Sequence, residues 1–262
     1  MVTAPPAEMP RLRSGPGDWL RAYVVMTRWT VASLRLFIPL LVVIEILTGV
    51  GFVLGFGLFF HGPAPSRSVL YISTGVPIIT LYVVGLIFLP QVVAQERLAH
   101  TYDYVQSMAA PRSTRFAAWY SLNLVAGVFG MIASLVAASL RYGVDLRVTP
   151  AVVPATLLIC LASSALGFAI GHAVSLPMLT NILSQVLNFF VIGFSPVCFP
   201  PDQMPAWLVS VNQGLPFASM STVMRSAIGG VPVSGVAGAY AVLAAWTGAS
   251  LLVAVAAVMR RS

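Results

Sequence analysis

The stretch LFIPLLVVIEILTGVGFVLGFGLFF, running from Leu36 to Phe60, holds a single charged side chain, Glu45. A bilayer core about 30 Å thick is crossed by roughly 20 apolar residues in a helix. Backbone in lipid must satisfy its own hydrogen bonds, which a helix does and irregular chain does not. The stretch therefore reads as a transmembrane helix, and further runs of the same kind follow it. They extend from Val69 to Pro90, Phe116 to Leu140, Ala151 to Ala173, Leu179 to Phe194 and Val236 to Val258, the fifth of the set being the shortest.

Composition supports the same class. Hydrophobic residues make up 58% of the 262 and charged residues 8%, whereas soluble domains carry roughly a quarter of their residues as charges. The mean hydropathy is +0.92. All fourteen basic residues are Arg, with no Lys, against seven acids, for a net charge of +7. Most of these arginines flank apolar runs instead of clustering beside exposed aromatics, which argues against nucleic acid as a partner.

Arginine-rich short segments stay cytoplasmic. With the N-terminus inside, Arg11, Arg13, Arg21, Arg28, Arg35, Arg97, Arg112, Arg115, Arg260 and Arg261 fall on the cytoplasmic side, and Arg67, Arg141, Arg147 and Arg225 outside. An even number of spans then returns the C-terminus to the cytoplasm. Residues 1–15, polar and Pro-rich, read as a disordered cytoplasmic tail, and nothing in the N-terminal region resembles a cleavable secretory signal.

Over residues 16–35, Leu20, Tyr23, Val24, Thr27, Val31 and Leu34 recur at helical spacing, while Arg21, Arg28 and Arg35 repeat every seventh position. This reads as an amphipathic helix in the headgroup layer, with a plain cytosolic extension of the first span as the alternative. Residues 36–262 form the six-helix transmembrane domain. The expected fold is all-α and polytopic, with six transmembrane helices.

The segment from Ser195 to Gly230, SPVCFPPDQMPAWLVSVNQGLPFASMSTVMRSAIGG, is too polar and Pro-rich to span and too apolar for an ordinary loop. Short helices opened at Pro205 and after Pro216 would satisfy both observations as a re-entrant hairpin between transmembrane helices 5 and 6. Between the second and third spans lies AQERLAHTYDYVQSMAAPRSTRFAAWYSLNLV. Here Leu98, Tyr102, Val105 and Met108 can line one stripe of a short helix, either a handle for a soluble partner or an interfacial helix without one.

Both segments resemble type-2 ATP-binding-cassette exporter permeases. In the loop, Glu96, Arg97, Thr101, Asp103, Pro111 and Arg112 stand in the order of that family's coupling region, with His100 where the family has Gly. In the outer segment Phe199, Pro200, Pro205, Trp207, Pro216 and Arg225 follow the order of its C-terminal signature. The resemblance implies export of an amphipathic substrate (drug, antibiotic, lipid or glycolipid) across the plasma membrane. It also implies a cytosolic ABC ATPase as partner, a second permease copy or paralogue, and contact with membrane lipid.

The residues themselves suggest no catalysis. A phosphate-cradling Walker loop needs a Lys, and the chain has none, so ATP hydrolysis is expected on a separate chain. HExxH, a serine nucleophile elbow and paired intramembrane acids are missing. His61, His100 and His172 are scattered, so neither a metal nor another cofactor is expected. Cys160 and Cys198 read as free thiols.

Glu45 remains as an acid inside a span, where such groups face protein or water. It reads either as part of the substrate path or as a neutral or Arg-paired structural group. A proton-coupled transporter, using Glu45 as its relay, and a non-transporting scaffold are the competing readings. Gly51 with Gly55, and Gly167 with Gly171, would let helices approach closely, within one subunit or at a seam between two.

Overall fold

A computed structural model describes residues 15–58, 66–99, 111–144, 146–174, 176–230 and 232–259. Its helices are α1 (Pro16–Ser33), α2 (Phe37–Leu58), α3 (Ser66–Val83), α4 (Leu89–Leu98), α5 (Arg112–Tyr142), α6 (Val152–Ala173), α7 (Pro177–Phe194), α8 (Ala206–Gly214), α9 (Pro216–Ile228) and α10 (Val236–Met259). A π-helical turn, Val84–Phe88, joins α3 to α4 without a break, and a 3-10 turn, Pro201–Gln203, precedes α8. The fold is all-α, and six helical segments are long and apolar enough to cross a membrane.

The second of these is longer than the sequence suggests, from Arg67 to Leu98 instead of ending at Pro90. Beyond Pro90 the sequence turns more polar, with Gln91, Gln95, Glu96 and Arg97, while the helix continues to Leu98 with Val93 and Ala94 still buried in the bundle. The π turn lies next to Pro90, which has no amide to donate four residues back. The Leu89 amide instead reaches the Val84 carbonyl, five residues back, a register shift of the kind that lets a helix carry a local bulge.

This second span is the post of the bundle. Ile78, Ile79, Leu81, Tyr82, Val84 and Leu86 are almost wholly buried, enclosed by α2, α5, α6 and α9. At mid-height α2 and α5 approach on small residues: a Cβ on Gly49 would sit 2.7 Å from the Gly130 carbonyl. At Gly167 of α6 a Cβ would land on the Gly85 carbonyl of the π turn, and Gly171 packs on Pro90 and Val93. The Gly167 and Gly171 pair thus packs inside the subunit, whereas a Cβ on Gly51 or Gly55 would meet nothing within 4 Å.

Beside the π turn, Asn123 of α5 donates to the Cys160 carbonyl (3.2 Å), Ser163 Oγ (3.2 Å) and Ser164 Oγ (2.9 Å) of α6. In a medium without water such side-chain bonds hold helices together where hydrophobicity cannot. Cys160 and Cys198 are both free and buried.

The α1 helix ends at Leu34, and residues 34–36 form a turn, so α1 and the first span are separate helices. It lies along α5, with Trp19 and Tyr23 stacked (centroids 5.6 Å apart) and bonded to Ser113 and Ser121. Leu20, Val25, Trp29 and Val31 remain on its outer surface.

Candidate functional sites at the two ends of the bundle

At the end where α4 stops and α5 begins, charged residues join three spans. Glu96 of α4 forms a partly buried ion pair with Arg115 of α5. Arg97 donates to the Val174 and His172 carbonyls at the end of α6. His172 is itself buried, its Nδ1 2.8 Å from the Phe168 carbonyl and its ring against Phe168. Arg97 thus serves as the cation that a helix C-terminus attracts, satisfying carbonyls left without intrahelical partners.

Glu96 and Arg97 are therefore brought together as an internal brace around the point where the loop leaves the bundle. Pro111 caps α5 in extended backbone, and Arg112 is the first residue of that helix. Thr101 and Asp103, with the rest of the loop between, lie outside the described residues. Arg115, which completes the brace, was not singled out in the sequence. Its partner Glu96 lies 19 residues earlier on another helix, so the pairing appears only in the fold.

At the opposite end the segment between α7 and α10 folds against the second span. Pro205 precedes α8 and Pro216 opens α9, each fixing backbone geometry suited to a helix start. Most of α9 is buried, from Phe217 to Ile228, and it packs on α3, α6 and α10. Asn212 anchors the end of α8 by donating to the Phe194 (2.8 Å) and Leu208 (2.9 Å) carbonyls. Phe199 meets Phe56 edge to face, and Pro200 leads into the 3-10 turn. Trp207 stays on the surface.

The centre of this end is Arg225. Its Nε donates to Thr74 Oγ1 (3.1 Å) and its Nη2 to the Val197 carbonyl (3.0 Å). Its guanidinium carbon lies 3.8 Å from the centre of the Tyr71 ring, a cation held over a π face. Arg67 pairs with Asp202 (3.0 Å) nearby. The loop between α5 and α6 joins the same end, Thr149 bonding the Ala227 carbonyl through both its amide and its hydroxyl. Of these groups, sequence reading found Arg225 and missed Tyr71 and Thr74, which precede it by about 150 residues and become its partners only in the fold.

Glu45 belongs to neither end. It lies on the buried face of α2, in line with Leu41, Gly49, Val53 and Gly57, and is fully enclosed where α2 meets α3 and α5. Neither carboxyl oxygen has a hydrogen-bond partner among the described residues.

An all-helical bundle with six apolar spans among the described residues defines a multi-pass membrane protein. Residues 59–256 match the family model described as ABC-2 family transporter protein, and the chain belongs to that family. No curated protein matches the chain.

Proposed function

We propose that this chain is the membrane-spanning half of an ATP-driven exporter. In this reading two permeases, identical copies or paralogues, pair above cytosolic ABC ATPase subunits in the plasma membrane, with both termini cytoplasmic. An amphipathic molecule, a drug, antibiotic, lipid or glycolipid, is moved out of the cytoplasm. Residues 195–230 dip into the outer leaflet as a re-entrant hairpin, and α1 rests in the cytoplasmic headgroup layer.

The observation that carries the reading is the brace of Glu96 with Arg115 and of Arg97 with the end of α6. It ties the second, third and fourth spans together at the root of the 100–110 segment. A push on that segment from an ATPase would reach three spans at once, which is what coupling requires. Thr101, Asp103 and Arg112 would be the groups offered to that ATPase, while Glu96 and Arg97 transmit the displacement. Glu45 becomes a path residue only if α2 separates from α5 during transport.

The unpartnered carboxyl of Glu45 favours a second reading, proton-coupled transport. Efflux from proteoliposomes holding both subunits, with the proton gradient collapsed by an uncoupler, separates the two. ATP-dependent efflux should persist, and should survive Glu45→Gln with altered rate. Efflux that stops with ATP still abundant would overturn the exporter reading in favour of the proton-coupled one.

A further inference from the structure

Arg225 lines a cavity of about 940 Å³ between the start of the second span and the α8–α9 segment. Leu70, Met204 and Val209 give it apolar walls, with Arg67 and Asn212 as further polar lining. Its charge is unbalanced. Arg67 is neutralised by Asp202, but Arg225 has no carboxylate partner among the described residues, and its Nη1 makes no hydrogen bond there. Carbonyls and the Tyr71 ring offset part of the cost of burying a guanidinium without a counter-charge. Arg225 lines the cavity, where an anion would supply the missing counter-charge.

We propose that this cavity binds a phosphate-bearing headgroup, its anion on the Arg225 guanidinium and any attached chain along the apolar wall. A planar guanidinium matches phosphate oxygens geometrically and holds its charge when buried. The site goes beyond the exporter reading: binding at equilibrium needs neither ATP nor a second subunit, so each idea can fail without the other.

The test uses the purified full chain in a neutral detergent, titrated calorimetrically with dihexanoyl phosphatidylglycerol, with dihexanoylglycerol, which has the same chains and no phosphate, and with inorganic phosphate. Phosphatidylglycerol should bind saturably and at least roughly tenfold more tightly than the phosphate-free lipid, as one lost charged hydrogen bond implies. Inorganic phosphate binding as tightly as phosphatidylglycerol would identify the free ion as the occupant, and its weaker binding would identify the lipid. Either result supports the anion site. Arg225→Met should cost about tenfold or more, and Arg67→Gln at the rim about threefold. Because Arg225→Met removes a structural clamp, Thr222→Trp gives a second route: it narrows the cavity from its wall, one helical turn before Arg225, leaves the charge, and should weaken binding severalfold. Equal affinity for the two lipids, or full affinity in Thr222→Trp, would overturn the proposal.

Discussion

The second and fifth spans pass the same test of hydropathy and do opposite things. In the second, 78% of the most apolar window is buried inside the subunit; in the fifth, α7, the share is 17%. The fifth is built inside out. Thr180 and Ser184 are buried and Asn188 accepts a bond from the Tyr82 hydroxyl, while Met178, Leu179, Ile182, Val186 and Phe189 face outward. The second carries apolar residues on every side because every side meets protein. Apolarity therefore says that a segment crosses the membrane and leaves open whether it meets lipid or other helices. Polar residues within a span are the better guide to its inner face, since a hydroxyl or amide is costly among acyl chains and is kept against protein.

The comparison breaks first at Gly167. A side chain there would occupy the space of the Gly85 carbonyl, and neither backbone can yield without disturbing the π turn, so the strain exceeds the 1–3 kcal/mol typical of an overfilled core. Gly167→Val should abolish monodisperse protein on size-exclusion chromatography, whereas Gly193→Val on α7, where a Cβ meets nothing within 4 Å, should elute like the parent. Equal behaviour of the two would mean that the second span is not the post of the bundle.

An intermediate effect belongs to the polar cluster that holds α6 against the bulged part of the post. Asn123→Leu removes three hydrogen bonds and leaves the Ser163 and Ser164 hydroxyls with fewer partners. Such bonds contribute little individually in a membrane, so a loss of about 1–2 kcal/mol is expected. Equilibrium unfolding in mixed micelles measures it. A loss under about 0.3 kcal/mol would show that glycine packing alone sets this contact.

What was legible in the sequence follows the same division. Spans show because a single one-dimensional property, apolar length, decides them, and the helices at Ala206–Gly214 and Pro216–Ile228 show because proline marks their starts. The end of the second span was placed too early, at Pro90, because hydropathy reports the edge of lipid and not the end of a helix. Gly51 with Gly55 and Gly167 with Gly171 carry the same spacing, yet only the second pair meets another helix, since spacing cannot say what lies opposite. Arg225 was found from its place in a run of residues, but Tyr71, Thr74 and the two carbonyls that hold it come from segments the chain brings together only on folding. The brace at the other end was half visible: Glu96 and Arg97 stood out as charges closing a span, and what they hold depends on the positions of α5 and α6.

The smallest expected effect is the most informative about what covers the fifth span. Phe189 is 73% exposed on the isolated subunit, so its ring has few protein atoms to lose. Lipid tails are as apolar as the ring, so no hydrophobic transfer term opposes its removal either. Phe189→Ala should then change stability by under about 0.5 kcal/mol, the range of substitutions away from packed features. Leu86→Ala, at a fully buried position of the second span, should cost about 2–5 kcal/mol because the cavity it leaves cannot collapse among rigid helices. Unfolding of both variants at two protein concentrations in the same micelles makes the comparison. If Phe189→Ala costs as much as Leu86→Ala, and does so only at the higher concentration, the outward face of α7 is covered by a second subunit and its apolar residues are core residues of a dimer. If the cost is small at both concentrations, lipid covers the face, and any partner subunit meets the bundle elsewhere.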